Sequence, residues 1–220
     1  MIAVEGKDCV FCAMVMNGED SEEYSMKTSI APLPPSRKLI CEKFVECKED
    51  ENGVLQSVEF KNTDSFNFGF DVVDAIAEKY PEKLAMIHLD KNKVERRFTF
   101  LDIKKQSARC ANYFLSLGIK KGDKVMLVLK RHYQFWFAMI ALHKIGAIAI
   151  PATYQLREHD FIYRFNAAGV SAIVCTSDGD CAEIVDKVQS ECPTLNLKIL
   201  VGGKREGWRD FDSEYGLFKS

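Results

Sequence analysis

The stretch from Gly122 to Ala152 reads GDKVMLVLKRHYQFWFAMIALHKIGAIAIPA, and it decides the fold. Its first apolar run, 125–129, has no polar alternation, which is typical of a strand covered on both faces. A helix that is apolar nearly all round follows over 133–145, and Gly146 ends it before a second strand at 147–150. A strand, a buried helix and another strand predict a crossover unit with two parallel strands.

The same alternation continues downstream. The expected elements are a helix over 158–168, a strand over 172–175, a helix over 180–190 and a strand over 197–201. Repeated strand and helix units predict an α/β fold, with a predominantly parallel sheet and helices on both faces. After Gly202 the pattern changes to charged and aromatic residues, so no terminal helix is expected to close the sheet.

Upstream of this stretch the pattern is also regular. The expected elements are a helix over 71–79, strands over 84–89 and 96–100 joined by a turn at 90–93, and a helix that runs to Leu117. Thr99 and Asp102 stand three residues apart, the spacing in which a hydroxyl and a carboxylate cap a helix start reciprocally. Gly118 follows as a left-handed stop.

Residues 1–65 differ from the rest of the chain because they contain no long periodic segment. They hold a proline-rich loop at 31–35 and an acidic cluster at 46–51, with a turn signal at Asn52-Gly53. We therefore expect an irregular extension over 1–65, with a short hairpin formed by 39–47 and 53–60, followed by an α/β domain over 66–220.

Composition excludes several classes of partner. A net charge of −2 and a pI near 6.1 give no electrostatic reason to expect nucleic acid. The longest apolar stretch, 135–152, is interrupted by His143, Lys144 and Pro151, whereas a membrane span needs about 20 predominantly apolar residues. No signal-peptide pattern opens the chain, so we expect a cytoplasmic protein. In a reducing compartment the eight cysteines are expected to be free thiols.

Cysteine spacing raises the question of a metal site. Cys9 and Cys12 have the two-residue spacing of a zinc knuckle, and Cys41 with Cys47 could complete four ligands. The second spacing is wrong for a standard knuckle, and all the histidines lie far downstream, at positions 88, 132, 143 and 159. We therefore predict no metal ligands.

Two short segments that follow strands are candidates for anion binding. Gly202-Gly203-Lys204 invites a phosphate-loop interpretation, but it lacks the preceding glycine and the following Ser or Thr, so we expect a simple turn. Lys130-Arg131-His132 lies at the carboxyl end of a predicted parallel strand, where open α/β sheets bind ligands. The alternative that we favour is a solvated loop in which Arg131 or His132 caps nearby carbonyls.

An aromatic run formed by Tyr133, Phe135, Trp136 and Phe137 could be mistaken for a base-stacking surface. No basic stripe is interleaved with it at helical spacing, so we expect these side chains to lie in the core. Spacing alone also places no Ser-His-Asp, Cys-His or paired-carboxylate set.

Several of these segments resemble a known family. Phe68–Asp74 and Arg97–Asp102 resemble the opening helix and first core motif of the AMP-dependent synthetase and ligase superfamily, the adenylate-forming enzymes. Leu142–Ala152 resembles their second core motif. The run Phe135–Leu156, followed by Asp160–Arg164, is most similar to the acetate and medium-chain acyl-CoA synthetase branch. The resemblance covers roughly residues 66–202 and rests on scaffold motifs.

This resemblance implies the first lobe of the family's large domain and a two-step reaction. A carboxylic acid attacks the α-phosphate of Mg-ATP to give an acyl-adenylate, and CoA then displaces AMP. The flexible Ser/Thr/Gly-rich phosphate loop with its lysine and the later motifs do not occur in these residues; Glu214–Leu217 has a Tyr-Gly pair without the threonine and glutamate that should follow. We therefore assign no catalytic, cofactor-binding or metal-binding residue.

Two functions remain open. The chain is either the N-terminal portion of an acyl-CoA synthetase, inactive alone, or a non-catalytic α/β module that binds or scaffolds a partner chain. An incomplete sheet is expected to expose an apolar edge and face, which predicts low solubility, self-association or pairing with a second polypeptide.

Overall fold

The computed structural model describes residues 43–220, and the chain divides between Phe66 and Asn67 into two compact units. In the first unit, β1 (Val45–Glu49) pairs antiparallel with β2 (Leu55–Phe60). Gly53 adopts a left-handed φ of +76° in the connecting turn, as the Asn-Gly signal indicates. The hairpin is almost wholly exposed.

The second unit begins earlier than the sequence predicts. A turn of π-helix spans Phe68–Asp74 and continues into α1 (Ala75–Lys79). The helical segment starts before residue 71 because Asn67 caps it: the Oδ1 atom accepts from the Gly69 N–H at 3.0 Å. The Asn67 Nδ2 group also donates to the His143 carbonyl at 2.8 Å, which ties the cap to a helix far along the chain.

A hairpin and a long helix follow. They are β3 (Leu84–Leu89), β4 (Glu95–Thr99) and α2 (Phe100–Ser116). The predicted capping box is confirmed, because the Asp102 N–H donates to Thr99 Oγ1 at 3.1 Å and the Thr99 N–H donates to Asp102 Oδ2 at 2.9 Å. Two of the N–H groups that every helix start leaves without partners are thereby satisfied.

The remaining elements alternate as the sequence predicts. They are β5 (Lys124–Val128), α3 (Gln134–Ile145), β6 (Ile148–Pro151), α4 (Glu158–Ala168), β7 (Ala172–Thr176), α5 (Cys181–Val188) and β8 (Leu197–Val201), with a short β9 (Arg209–Asp210) and α6 (Phe211–Glu214) at the end. They build a parallel sheet with the order β6-β5-β7-β8-β9. The predicted α/β fold with a predominantly parallel sheet is confirmed.

Each face of the sheet carries its own core. Along β5, Val125 and Leu127 pack into the core beneath α2 and α3, whereas Met126 and Val128 pack into the core beneath α4 and α5. This alternation follows from the two-residue period of a strand. All four side chains are buried, as the continuous apolar run predicts.

The end of the chain corrects one expectation. The sequence after Gly202 was expected to add no further helix, but β9 extends the sheet and α6 packs against it. Phe211 drives this arrangement because its side chain is fully buried, with its ring centroid 5.9 Å from that of Tyr113. A single buried phenylalanine in a charged segment therefore holds α6 against the sheet. One isolated apolar residue has no periodic pattern, so the sequence did not predict this helix.

Two expectations about exposure also need correction. Phe137 of the aromatic run is buried, but Trp136 is 38% exposed and lies at the surface. The faces of the sheet are not bare, because β7 is buried along its whole length and β8 is buried over its last three residues. Within the five-stranded sheet, Ile148 of the edge strand β6 is 48% exposed. Among residues 43–220, no helix is long and apolar enough to cross a bilayer.

Candidate functional site

Four parallel strands end at the same edge of the sheet, and polar residues lie in the loops that follow them. We call this region the carboxyl edge: residues 130–132 after β5, 152–155 after β6, 176–180 at the end of β7 and 202–203 after β8. In open α/β sheets ligands bind outside the carboxyl ends of the strands. The carboxyl edge is therefore the candidate ligand site.

His132 is held at the carboxyl edge by a buried threonine. Its Nε2 atom lies 2.7 Å from Thr176 Oγ1, and Thr176 also accepts the Asp178 N–H at 3.0 Å. Burial lowers the pKa of His132 from its usual 6.5, although the carboxylates of Asp178 and Asp212 act in the opposite direction. At neutral pH His132 is consequently an uncharged imidazole that is held in place by Thr176.

Lys130 supplies the positive charge of the carboxyl edge. Its backbone takes an unusual φ of +40°, and its Nζ atom lies 3.6 Å from Asp178 Oδ2 and 4.7 Å from the centre of the Tyr154 ring. The tyrosine ring thus contributes a cation–π contact on one side while the carboxylate faces the ammonium from another. The side chain remains one-quarter exposed, so its charge can reach a bound anion.

Gly202 and Gly203 bring the backbone after β8 close to the other loops. A Cβ atom on Gly202 would lie 3.1 Å from Ser177 Oγ and 3.3 Å from His132 Cε1, and one on Gly203 would lie 2.9 Å from Ser177 Cβ. The Gly202 N–H donates to Asp212 Oδ2 at 2.7 Å. Glycine suits both positions, because a Cβ on Gly203 would overlap Ser177, and Gly202 combines tight contacts with a left-handed φ of +84°.

The structure joins two segments that the sequence offered separately. His132 lies beside Gly202 at the carboxyl edge, whereas Lys130, in the same loop as His132, lies beside Gly179. Lys204 has 85% of its side chain exposed, with its Nζ atom 3.9 Å from Asp210. No phosphate loop of the P-loop type is formed by these glycines. Arg131 contributes its carbonyl, which lies 2.9 Å from His88 Nε2.

Sequence reasoning missed three members of this region. Thr176, Gln134 and Asp212 are not part of any motif, yet Thr176 holds His132 and the Gln134 Nε2 group donates to Asp212 Oδ1 at 2.8 Å. A polar residue that ends an otherwise apolar strand, as Thr176 does, was the one available signal. Asp212 gave none because it belongs to the short helix that the sequence did not predict.

This set of groups can bind but is poorly equipped for covalent chemistry. Besides the Arg131 guanidinium and the carboxylates of Asp178 and Asp180, it offers one ammonium, a neutral imidazole, hydroxyls and backbone N–H groups, and these donors can position an anionic ligand. No group of three or more His, Cys, Asp or Glu side chains within residues 43–220 could hold a metal ion. Of the cysteines weighed for zinc, Cys47 is exposed, and Cys9, Cys12 and Cys41 lie outside the described residues.

Comparison with known proteins places this fold in a family. Residues 73–215 match the AMP-binding enzyme family. The chain is 35% identical over 153 residues to the rat acyl-coenzyme A synthetase ACSM5, mitochondrial. The aligned segment covers 66% of this chain and 26% of that protein. It is 33% identical over 150 residues to the human acyl-coenzyme A synthetase ACSM3, mitochondrial, covering 65% and 25%.

Solved structures share the fold. Acetoacetyl-CoA synthetase from Streptomyces lividans superposes with a TM-score of 0.63 at 19% identity, over 70% of this chain and 26% of that one. The anthranilate CoA ligase AuaEII in complex with anthranoyl-AMP gives a TM-score of 0.59 at 18% identity, over 70% and 28%.

The region that the chain has in common with these proteins is only part of each of them. It spans about a quarter of the length of the curated relatives. The matched residues include both segments that the sequence singled out as core motifs, so the resemblance to the acyl-CoA synthetases is confirmed. By sequence match and by fold, the chain belongs to the AMP-binding enzyme family.

Proposed function

We propose that this chain contributes the first lobe of an AMP-forming acyl-CoA synthetase and that these residues do not complete the reaction alone. The whole reaction converts a carboxylic acid, ATP and CoA into acyl-CoA, AMP and pyrophosphate. The observation that carries the proposal is the composition of the carboxyl edge, where Lys130, His132 and two glycines form a binding wall and the hydroxyl bonded to His132, that of Thr176, is fully buried and so is not available as a nucleophile. A wall of this kind needs a second lobe to enclose a substrate.

Within that enzyme the carboxyl edge would face an anionic substrate. Lys130 would attract the charge, while Gly202 and Gly203 would allow the ligand's polar groups to approach the backbone closely. Phosphate-bearing ATP and CoA both have the required charge. Mg²⁺ would accompany ATP, but the described residues offer no cluster of acidic ligands for it, so none of them is assigned to the metal.

The direct test is acid-dependent ATP–pyrophosphate exchange with the purified chain. We expect no exchange above the enzyme-free rate with acetate, butyrate, hexanoate or benzoate as the acid. Exchange that depends on both the chain and an acid would overturn the proposal, because it would show that the missing motifs are not needed. The four acids differ in length because the sequence does not indicate which acyl chain length the enzyme would accept.

A chimera tests the positive half of the proposal. Residues 67–220 would replace the matched segment of the rat ACSM5 protein, and we expect the folded chimera to recover exchange. Lys130→Met in the chimera should raise the apparent KM for ATP or CoA, whereas Leu217→Ala, a change at an exposed site, should not. A folded chimera with no exchange would count against the lobe assignment.

A second candidate, a non-catalytic module that pairs with a partner chain, is favoured by the edge strand β6. Ile148 there is half exposed, and β6 has a neighbouring strand on one side only. Size-exclusion chromatography with light scattering discriminates between the two. A soluble monomer with a sharp, reversible melt would count against the module, and dimers that dissociate on Ile148→Lys would support it.

We also propose a cytoplasmic location, which was expected from the sequence. The names of the curated relatives carry the word mitochondrial, so the mitochondrion is the alternative to the cytoplasm. Imaging the chain with a C-terminal fluorescent protein decides between them. Overlap with a mitochondrial marker would overturn the cytoplasmic assignment.

A further inference from the structure

A groove lined mainly by apolar side chains runs along one face of α2. It lies between the π-helical turn, α2 and α3, and its volume is about 550 Å³. Sites for small ligands in proteins have volumes of about 300–1,000 Å³, so the groove is large enough to hold one. We call it the helix groove, and its apolar lining consists of Phe70, Leu101, Ala108, Ala111, Leu115 and Ile145.

The helix groove is open because α2 carries small side chains at its middle. Ala108 and Ala111 stand three residues apart, so they are neighbours on one face of the helix. Larger apolar side chains border this face and lie partly in water: Phe70 is 52% exposed and Leu115 is 50% exposed. Apolar surface that several neighbouring residues expose to water is typical of a site that binds a ligand or a partner.

Charged side chains lie at one end of the helix groove. The Nζ atom of Lys144 is 3.4 Å from the Lys104 carbonyl and 2.8 Å from Asp74 Oδ1, so these three residues are neighbours. Asp74 compensates the charge of Lys144, and Lys104 pairs at 2.8 Å with Glu78, an exposed carboxylate that does not line the groove. Lys105 is exposed and forms no ion pair with any of residues 43–220. Positive charge therefore exceeds negative charge at this end.

The side chains that line the opposite end carry no charge. They belong to Asn112, Leu115 and Ser220, and the Asn112 Nδ2 group donates to the Lys219 carbonyl at 2.9 Å. Along α2 the distance from Lys105 to Leu115 is about 15 Å, at 1.5 Å per residue. The helix groove is thus an elongated apolar surface with a cationic end. This arrangement matches a ligand that has a long hydrocarbon tail and an anionic head.

The helix groove is separate from the carboxyl edge. Helix α3 begins at Gln134, just after the loop 130–132 of the carboxyl edge, whereas Lys144 and Ile145 lie at its other end, about 15 Å away along the axis. The residues that form the carboxyl edge do not line the groove. A ligand in the helix groove would therefore leave the carboxyl edge open to a substrate.

We propose that the helix groove is a binding site for a free long-chain carboxylate, distinct from the site at the carboxyl edge. The carboxylate lies beside Lys105, and the hydrocarbon chain lies over Ala108 and Ala111 towards Leu115. Each methylene group that leaves water adds to the affinity, so the length of the chain sets the strength of binding. The uncompensated lysine sets the preference for an anion over a neutral head group. This inference does not depend on the proposed function.

Isothermal titration calorimetry on the full chain tests the proposal, with dodecanoate kept below the concentration at which it forms micelles. We expect dodecanoate to bind, hexanoate to bind roughly a hundredfold more weakly because it buries fewer methylene groups, and dodecanol to bind roughly tenfold more weakly because it lacks the charge. No binding of dodecanoate, or equal affinity for dodecanol, would overturn the proposal. Binding to phosphatidylserine vesicles but not to free dodecanoate would also overturn it and would identify a membrane surface as the partner.

Variants test the two features of the helix groove separately. Ala108→Leu fills the groove and should weaken dodecanoate binding roughly tenfold, whereas Ala167→Leu, at an exposed alanine of α4, should not change it. Lys105→Glu reverses the charge at the cationic end and should weaken binding roughly tenfold, whereas Lys91→Glu, in the exposed turn between β3 and β4, should not. Unchanged affinity in both groove variants would contradict the assignment.

Photolabelling of the wild-type chain locates the ligand without any variant. A dodecanoate that carries a diazirine near the end of its tail should label the tryptic peptide 110–120, which contains Ala111 and Leu115. An excess of unmodified dodecanoate should suppress this labelling. Labelling of peptide 165–187, which carries residues 176–180 of the carboxyl edge, in place of 110–120 would overturn the proposal.

Discussion

The Nζ atom of Lys144 lies 2.8 Å from Asp74 Oδ1, and both side chains are almost completely buried. Asp74 ends the π-helical turn and Lys144 lies in the last turn of α3, so the ion pair joins the first helical segment of the second unit to a central helix. Burial lowers the pKa of Lys144, while the Asp74 carboxylate counteracts this effect. The pair lies at the side of an open groove of about 550 Å³ between the π-helical turn, α2 and α3.

Asp74→Asn should destabilise the chain by about 3 kcal/mol, because it leaves the Lys144 charge buried without a counter-ion. The double variant Asp74→Leu with Lys144→Met should recover most of this loss, since no buried charge then remains. Urea unfolding followed by circular dichroism measures both. Glu78→Gln is the matched control, because the Glu78–Lys104 pair is exposed and its loss should not change the free energy of unfolding measurably. Equal stability of Asp74→Asn and wild type would contradict this assignment.

The carboxylate of Asp186 should stabilise the core beneath α4 and α5 at neutral pH, and this contribution should disappear at low pH. Burial alone would raise the pKa of this carboxyl, but hydrogen bonds from Lys198, Arg205 and Trp208 outweigh it and the pKa lies below its usual 3.8. A lowered folded-state pKa stabilises the protein above pH 3.8, and this contribution is lost as the pH falls through the folded-state value. Asp186→Asn should therefore cost about 1.5 kcal/mol at pH 7.

The pH dependence makes that prediction specific. The difference in unfolding free energy between Asp186→Asn and wild type should shrink as the pH is lowered below 3.8. Glu183→Gln, which removes an exposed pair with Lys187, should match wild type at every pH. A difference that stays constant from pH 7 to pH 2 would show that the carboxylate charge of Asp186 is not responsible.

The glycines after β8 should be intolerant of side chains for two different reasons. Gly202→Ala combines a left-handed φ of +84° with close contacts to Ser177 and His132, so it should cost more than Gly118→Ala, which has φ +87° and open space. Because a Cβ on Gly118 would meet open space, the Gly118 change measures the cost of the left-handed backbone alone, about 1–2 kcal/mol. Gly203→Ala should be rescued in part by Ser177→Gly, because the clash is with Ser177 Cβ. Thermal melts of the four variants decide, and equal losses at positions 118 and 202 would contradict the packing argument.

The segment after residue 208 should be essential to the core. Phe211→Ala removes a fully buried ring and should cost about 3–5 kcal/mol. Leu217→Ala lies only six residues away, but its side chain is 82% exposed, so the change should stay within about 0.5 kcal/mol. Similar denaturation midpoints for the two variants would show that α6 does not belong to the folded unit.

Local signals predicted most of the fold. The apolar run of β5, the glycine stop at Gly146 and the Thr99–Asp102 capping box each depend on residues within a few positions of one another, and each is found in the structure. Periodicity placed the first helix at residue 71, whereas the family resemblance and the local cap of Asn67 on Gly69 both indicate the start at Phe68. The burial of Phe211 was missed, because it depends on Tyr113, more than 90 residues away.

The candidate site was harder to predict for the same reason. Lys130-Arg131-His132 and Gly202-Gly203 were recognised as separate signals, and each had a reasonable interpretation as a plain loop. Their meeting depends on the strand order, which puts β7 between β5 and β8 and so makes Thr176 and Ser177 the residues that connect them. Strand order is a property of the whole sheet, so no local window contains it.

The position of Phe211 sets a condition on synthesis. Helices α2 and α3 are complete by residue 145, yet the ring that packs beside Tyr113 and Phe114 is added some 65 residues later. A ribosome adding about 5–20 residues per second leaves that apolar surface open for several seconds, and longer if translation pauses. During this interval Tyr113 and Phe114 lack the Phe211 ring that later covers them. Chaperones that bind exposed apolar segments would therefore bind the nascent chain at this surface.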